Sequence, residues 1–113
     1  MLDRSNEDPP IPLHKEYFTL SNIASLLQKY KVSKELDLSS IDCDYDDFYT
    51  AREILLTGYR TCILVSEYNI NFGAKWSVST IVKPIGKELE FSWKGDCYFG
   101  VSVKAIMRLA KVF

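Results

Sequence analysis

The sequence predicts an α/β fold in which parallel strands are flanked by helices. Three observations support it: an apolar run at residues 36–41, a helical pattern starting at Asp47, and a β-branched run at residues 61–68. A strand, a helix and a second strand at this spacing form a right-handed parallel crossover. The second strand is expected to be the more buried one. Sheets usually contain about five strands, so two strands predict part of a larger domain.

Helical periodicity and helix-ending residues place the other elements. Apolar side chains recur at helical spacing over residues 21–30, and an amphipathic pattern predicts a last helix over residues 98–113. The helix that starts at Asp47 has an acidic first turn, which complements the helix dipole, and Gly58 ends it. Residues 69–97 are less regular and predict a hairpin or an ordered loop.

The N-terminal segment, residues 1–17, is predicted to be a flexible leader because its prolines block regular structure. Residues 18–113 then form the α/β domain. His14 is the only histidine of the chain and lies in this leader. It is expected to be exposed to solvent, so no catalytic triad is predicted.

The overall composition excludes several classes of protein. Fourteen basic residues against fifteen acidic ones give no net attraction to nucleic acid or to an anionic membrane surface. No apolar stretch is long enough for a signal peptide or a membrane span, so a cytoplasmic protein is expected. The three cysteines lack a C-x-x-C spacing and predict reduced, mostly buried thiols rather than a disulfide framework or a zinc site.

An acidic cluster is the leading candidate for a functional site. Asp42, Asp44, Asp46 and Asp47 directly follow the first predicted strand. In open α/β sheets, ligands bind outside the carboxyl ends of the strands, which is where these side chains would lie. Carboxylates at this edge can orient substrate hydroxyls or act as a general base. Acidic residues at a helix N-terminus can also serve only as caps and dipole partners.

Three segments together resemble a known family. The segments are S-I-D-C-D-Y-D-D-F at residues 40–48, V-S-E-Y-N at residues 65–69 and Y-F-G-V-S at residues 98–102. They resemble motifs of S-adenosylmethionine-dependent methyltransferase-like proteins related to the FkbM family. In that family, I-D-x-D-x-x-D-Y follows a central strand, E-Y-N ends the next strand, and Y-[YF]-G-x-S starts a helix. The likeness covers residues 18–113.

The resemblance implies a partial Rossmann-like methyltransferase fold in which the first half of the sheet is absent. This chain would supply the fourth and fifth strands of a seven-stranded sheet. The resemblance also implies S-adenosylmethionine as cofactor and an unknown methyl acceptor. It assigns the catalytic positions to Asp42, Asp44 and Glu67. The substrate-binding positions would be Asp47, Tyr68, Asn69 and Tyr98.

The chain departs from the family in the part that binds the cofactor. No segment matches the glycine-rich loop after the first strand or the acidic residue after the second, and no G-x-G occurs. Tyr45 also stands where the family usually has glycine, which predicts an altered turn. The expectation is therefore that the chain alone is not an active methyltransferase and that its cofactor-binding residues are unknown.

Three other interpretations fit parts of the sequence. The chain can be a non-catalytic interaction module that binds a protein partner, or a second copy of itself, through unpaired sheet edges. The D-C-D tripeptide at Asp42 is also typical of glycosyltransferases that hold a divalent cation. An EF-hand-like spacing also begins at Asp42, but the sharp turn has Asp47 instead of glycine and a strand precedes it. That spacing comprises Asp42, Asp44, Asp46, Thr50 and Glu53.

Overall fold

The computed structural model describes residues 2–3, 12–82 and 95–113, which form two compact units, Met1–Val32 and Ser33–Phe113. The strands are β1 (Leu2–Asp3), β2 (His14–Lys15), β3 (Glu35–Ile41) and β4 (Arg60–Ser66). The helices are α1 (Ile23–Lys29), α2 (Asp47–Leu56), a 3-10 turn (Ile70–Phe72) and α3 (Val103–Ala110).

In the first unit, the described residues form two short strands and one helix. β1 pairs with β2 in parallel, with Leu2 opposite His14, although the sequence predicts no regular structure there. The His14 ring stacks on Tyr30 at 3.8 Å and is only partly exposed, contrary to the expectation of a solvent-exposed side chain. Helix α1 begins two residues later than predicted, after Asn22. The boundary between the two compact units falls after Val32. The predicted leader and domain, which meet after residue 17, stay a prediction.

The second unit is an α/β structure with a two-stranded parallel sheet and flanking helices. β3 and β4 are paired from Glu35 opposite Arg60 to Ile41 opposite Ser66. Helix α2 connects them and begins at Asp47, as the sequence predicts. The strand–helix–strand unit with parallel strands is thus confirmed.

Side chains alternate between the two faces of the sheet along each strand. Of the part of the chain that the structure describes, helix α2 covers one of these faces, and the other is largely exposed. Ile41 is buried, as are Ala51 and Leu55 of α2. On the opposite face, Ile63 and Val65 are 59% and 50% exposed. The prediction that the second strand is the more buried one is therefore wrong.

The last helix is shorter than predicted. Helix α3 begins at Val103 rather than near Tyr98, and the preceding segment forms an antiparallel bridge between Ser79 and Val101. Gly100 has a φ of 60°, a left-handed conformation that interrupts a helix. Residues 83–94, which include part of the predicted hairpin or loop, lie outside the described residues.

Two further expectations concern membrane-spanning helices and the burial of the cysteines. No helix among the described residues has the length and apolar character needed to cross a membrane. The prediction of mostly buried thiols is wrong for two of the three cysteines: Cys43 is buried, but Cys62 and Cys97 are exposed. Cys62 lies on β4, and Cys97 lies in the segment that precedes the bridge to Ser79.

Candidate functional site

Three of the predicted site residues lie together where β3 and β4 end. Ile41 and Ser66 are opposite each other in the register. The next residues, Asp42 and Glu67, therefore both lie at the carboxyl ends of the two strands. One carboxylate oxygen from each of Asp42, Asp44 and Glu67 lies within 4.8 Å of the other two, and all three residues are exposed. We call these three residues the carboxylate cluster. The structure therefore brings together all three residues that the resemblance assigns to catalysis.

A tight turn places Asp44 in the carboxylate cluster. The Tyr45 amide donates to the Cys43 carbonyl at 2.7 Å, and Asp44 between them has a φ of 61°. Among residues other than glycine, aspartate and asparagine tolerate this conformation best. The left-handed residue of this turn is therefore Asp44, whereas the sequence singles out the next residue, Tyr45. An altered turn relative to the family stays a prediction.

The predicted substrate-binding residue Asp47 is completely buried, directly beneath this turn. Its Oδ1 accepts a hydrogen bond from the Cys43 amide at 3.0 Å, which closes the loop between β3 and α2. Among the described residues, no hydrogen-bond donor reaches its Oδ2. Burial raises the pKa of Asp47 to about 6. Hydrogen bonds from backbone amides lower this pKa, and the negative charges of Glu67 and Asp42 raise it.

The electrostatics of the carboxylate cluster favour proton uptake at Glu67. Although Glu67 is exposed, desolvation of its carboxylate by the neighbouring chain raises its pKa, and the charges of Asp42 and Asp44 raise it further. A carboxylate with a raised pKa is a better proton acceptor near neutral pH than an ordinary one. The cluster can therefore accept hydrogen bonds from hydroxyl groups and remove a proton from one of them.

Asn69 joins the end of β4 to the segment before α3. Its backbone amide donates to the Val101 carbonyl at 2.7 Å. Its side-chain Nδ2 donates to the carbonyls of Cys97 at 2.7 Å and Phe99 at 2.9 Å. Both side-chain hydrogens are thus directed at the chain itself, and the residue is fully buried. The observed role of Asn69 is to position residues 97–101; its predicted contact with substrate stays a prediction.

Thr80 also holds the segment before α3 in place, although it is not among the predicted site residues. Its backbone amide donates to the Gly100 carbonyl at 3.0 Å, and its hydroxyl donates to the Tyr45 carbonyl at 3.1 Å. Gly100 itself packs against the buried acid, because a Cβ atom there would lie 3.9 Å from Oδ2 of Asp47. The three segments that carry the family resemblance therefore meet around Gly100. A threonine in an irregular segment gives no sequence signal for such a role.

The two predicted substrate-binding tyrosines are about half exposed. Tyr68 directly follows Glu67, and its side chain is 49% exposed. Tyr98 is 48% exposed and meets the Tyr45 ring edge-on, with ring centroids 6.3 Å apart. Burial raises the pKa of Tyr45, and the nearby Tyr98 adds to this effect. Tyr68 and Tyr98 remain available to a ligand, and their predicted role is not contradicted.

The geometry excludes one alternative reading of the acidic cluster. Thr50 and Glu53, the last two positions of the EF-hand-like spacing, lie on helix α2 rather than in a loop. The element before Asp42 is strand β3 instead of a helix. An EF-hand loop is therefore ruled out for these residues.

Comparisons with known proteins identify no relative of this chain. No protein-family model matches the chain, and neither the curated proteins nor the solved structures contain a match to it. The class that the fold and the site define is a small α/β unit with a parallel strand pair and an acidic site at the carboxyl ends of its strands.

Proposed function

We propose that this chain forms the substrate side of a methyltransferase-like active site, in which the carboxylate cluster binds a polyhydroxylated methyl acceptor. The observation that carries the proposal is the convergence of Asp42, Asp44 and Glu67 at the carboxyl ends of two parallel strands. Ligands of open α/β sheets usually bind outside the carboxyl ends of the strands. Carboxylates accept hydrogen bonds from hydroxyls, and the raised pKa of Glu67 suits it to accept a proton.

The contacts between the motif segments support the same proposal. Asn69 and Gly100 belong to two of the segments that resemble the FkbM-related family, and Asp47 belongs to the third. Asn69 holds the segment that contains Gly100, and Gly100 packs against Asp47. A family resemblance predicts that its motifs share one site, so these contacts are what the proposal requires.

The cofactor implied by the resemblance, S-adenosylmethionine, does not fit the described residues. A glycine-rich turn after a strand normally holds such a cofactor. β3 is followed by Asp42 and its acidic neighbours, and β4 is followed by Glu67 and Tyr68. No methyl-transfer step is therefore assigned to this chain, and its proposed role is limited to binding and deprotonating the acceptor.

The proposal is tested by ligand-observed NMR and calorimetry with a panel of monosaccharides and cyclitols. We expect at least one of them to bind, and Asp42→Asn combined with Asp44→Asn and Glu67→Gln to weaken binding at least tenfold. The control combines Glu35→Gln with Asp37→Asn, which removes exposed acidic groups at the other end of β3. The control should bind as tightly as the original chain.

Two further titrations separate this proposal from its alternatives. Calcium and manganese are titrated under the same conditions, because three close carboxylates also suit a divalent cation. Cation binding without any binding of a hydroxylated compound would overturn the proposal. S-adenosylmethionine is titrated as well, and tight binding of the cofactor to the chain alone would contradict the limit placed on its role.

A further inference from the structure

The outer edge of β4 has backbone groups that point away from the sheet. The Arg60 amide donates to the Lys34 carbonyl of the neighbouring chain segment at 2.7 Å, so the backbone of Arg60 faces β3. Because this direction alternates along a strand, the amides and carbonyls of Thr61, Ile63 and Val65 point away from β3. Within residues 12–82 and 95–113, no strand pairs with that side of β4.

This edge carries few of the features that normally prevent edge-to-edge pairing. β4 is seven residues long and has no charge or proline between Arg60 and Glu67. Two of the residues whose backbone groups point outward also have exposed apolar side chains: Ile63 is 59% exposed and Val65 is 50% exposed. The Thr61 hydroxyl, which donates to the Ile63 carbonyl at 2.8 Å, gives the edge a single local hydrogen bond. Long, apolar, uncharged edges are the ones that recruit another strand.

The outer edge of β3 differs from that of β4 in its charge. By the same alternation, the backbone groups of Glu35 and Asp37 point away from β4, and both residues are exposed. Pairing two copies of β3 would bring these acidic residues near the acidic end of the other copy. Of the two sheet edges, β4 is therefore the one suited to pairing.

The charges at the two ends of the sheet favour a second copy of the chain as the occupant. On β4 itself, which carries the proposed interface, Arg60 begins the strand and Glu67 of the carboxylate cluster directly follows its last residue. Antiparallel pairing of two identical edges places each positive end near the negative end of the other copy. A two-fold axis generates this arrangement twice in one self-complementary interface.

We infer that the chain forms a two-fold dimer in which β4 pairs in antiparallel fashion with β4 of a second copy, giving a continuous four-stranded sheet. Residues whose backbone groups point outward must face each other across the new ladder. One such register places Ile63 opposite Ile63 of the partner subunit and Thr61 opposite Val65 of the partner subunit. This register gathers the exposed apolar side chains on one face.

Sedimentation velocity of the full chain over a wide concentration range tests the dimer. We expect the mass to approach twice the 13.0 kDa of the chain. Ile63→Lys and Val65→Lys should weaken the dimer at least tenfold, because a charge on the edge opposes strand addition. The matched control is Leu38→Lys, which changes an exposed residue opposite Ile63 on β3 and should leave the dimer intact. A monomer at every concentration, or an equal loss with Leu38→Lys, would overturn the inference.

Amide hydrogen exchange of the unmutated chain gives an independent readout that does not depend on how the variants fold. The amides of Thr61, Ile63 and Val65 should exchange at least tenfold more slowly at high than at low protein concentration. The outward amides of β3, at Asp37 and Ser39, should show no such dependence. Protection of the β3 amides instead would place the interface on the other edge and overturn the inference.

Discussion

Asp47 carries the strongest electrostatic signature of any single residue in the site. Its side chain is fully buried, and its pKa is raised from the usual 3.8 to about 6, chiefly because burial disfavours the charged form. The folded state therefore binds a proton more tightly than the unfolded state. Protonation of Asp47 stabilises the fold, and this stabilisation is lost as the pH rises from about 4 through about 6.

Asp47→Asn is expected to remove this pH dependence. The amide oxygen can still accept from the Cys43 amide, but the variant has no charge to bury. Between low and neutral pH, the free energy of unfolding of the original chain should fall by roughly 1–3 kcal/mol more than that of the variant. Urea unfolding at a series of pH values measures the difference. Asp37→Asn at an exposed position serves as control, and parallel pH profiles for the original chain and Asp47→Asn would refute the assignment.

Asn69→Leu is expected to loosen the segment before α3. The carbonyls of Cys97 and Phe99 lose their donors, so the free energy of unfolding should fall by roughly 1–3 kcal/mol. Amide exchange over residues 97–101 should also become faster. Asn71→Ala is the control, because Asn71 is exposed and its side chain donates to Oδ1 of Asn69 rather than holding residues 97–101. Unchanged exchange in Asn69→Leu would show that the segment is held by other contacts.

At the scale of elements, local patterns predict type better than boundaries. Alternating apolar residues and an acidic helix start identify β3, α2 and β4, whose observed ends lie within a few residues of the predicted ones. The start of α3 was misplaced because Tyr98 and its neighbours fit a helical pattern. Gly100 and the contacts with Asn69 hold those residues in a non-helical conformation, and neither is visible in the periodicity.

Ser102→Ala tests the observed start of α3. The Ser102 hydroxyl accepts from the amides of Ala105 and Val78, which caps the helix and ties it to the chain before the bridge. The variant should lose about 1–2 kcal/mol of unfolding free energy, the upper part of the range for an N-cap. Thermal and urea unfolding measure the change. Ser25→Ala in α1 is exposed and should have little effect; an equally small effect of Ser102→Ala would argue against the cap.

At the scale of the whole molecule, β4 has opposite charges at its two ends, Arg60 at the start and Glu67 directly after the last residue. If the inferred dimer brings these ends together, added salt should weaken it, because exposed charges are screened at distances of about 10 Å in 0.1 M salt. Sedimentation at several salt concentrations measures the effect. Combined Asp42→Asn, Asp44→Asn and Glu67→Gln should abolish the salt dependence. A dimer that is insensitive to salt in both proteins would show that the charges do not guide the pairing.

The sequence by itself determined the parts of this protein that depend on neighbouring residues. The parallel strand–helix–strand unit follows from local periodicity, and the position of Asp42 and Glu67 at one edge follows from where two parallel strands end. The tertiary structure decided everything that depends on contacts between distant segments. Burial of Asp47, the bonds of Asn69 to Cys97 and Phe99, and the bond of Thr80 to Tyr45 span loops whose closure no local pattern encodes. Exposure of Ile63 was decided in the same way, because burial depends on which elements pack against a face rather than on the residues along the strand.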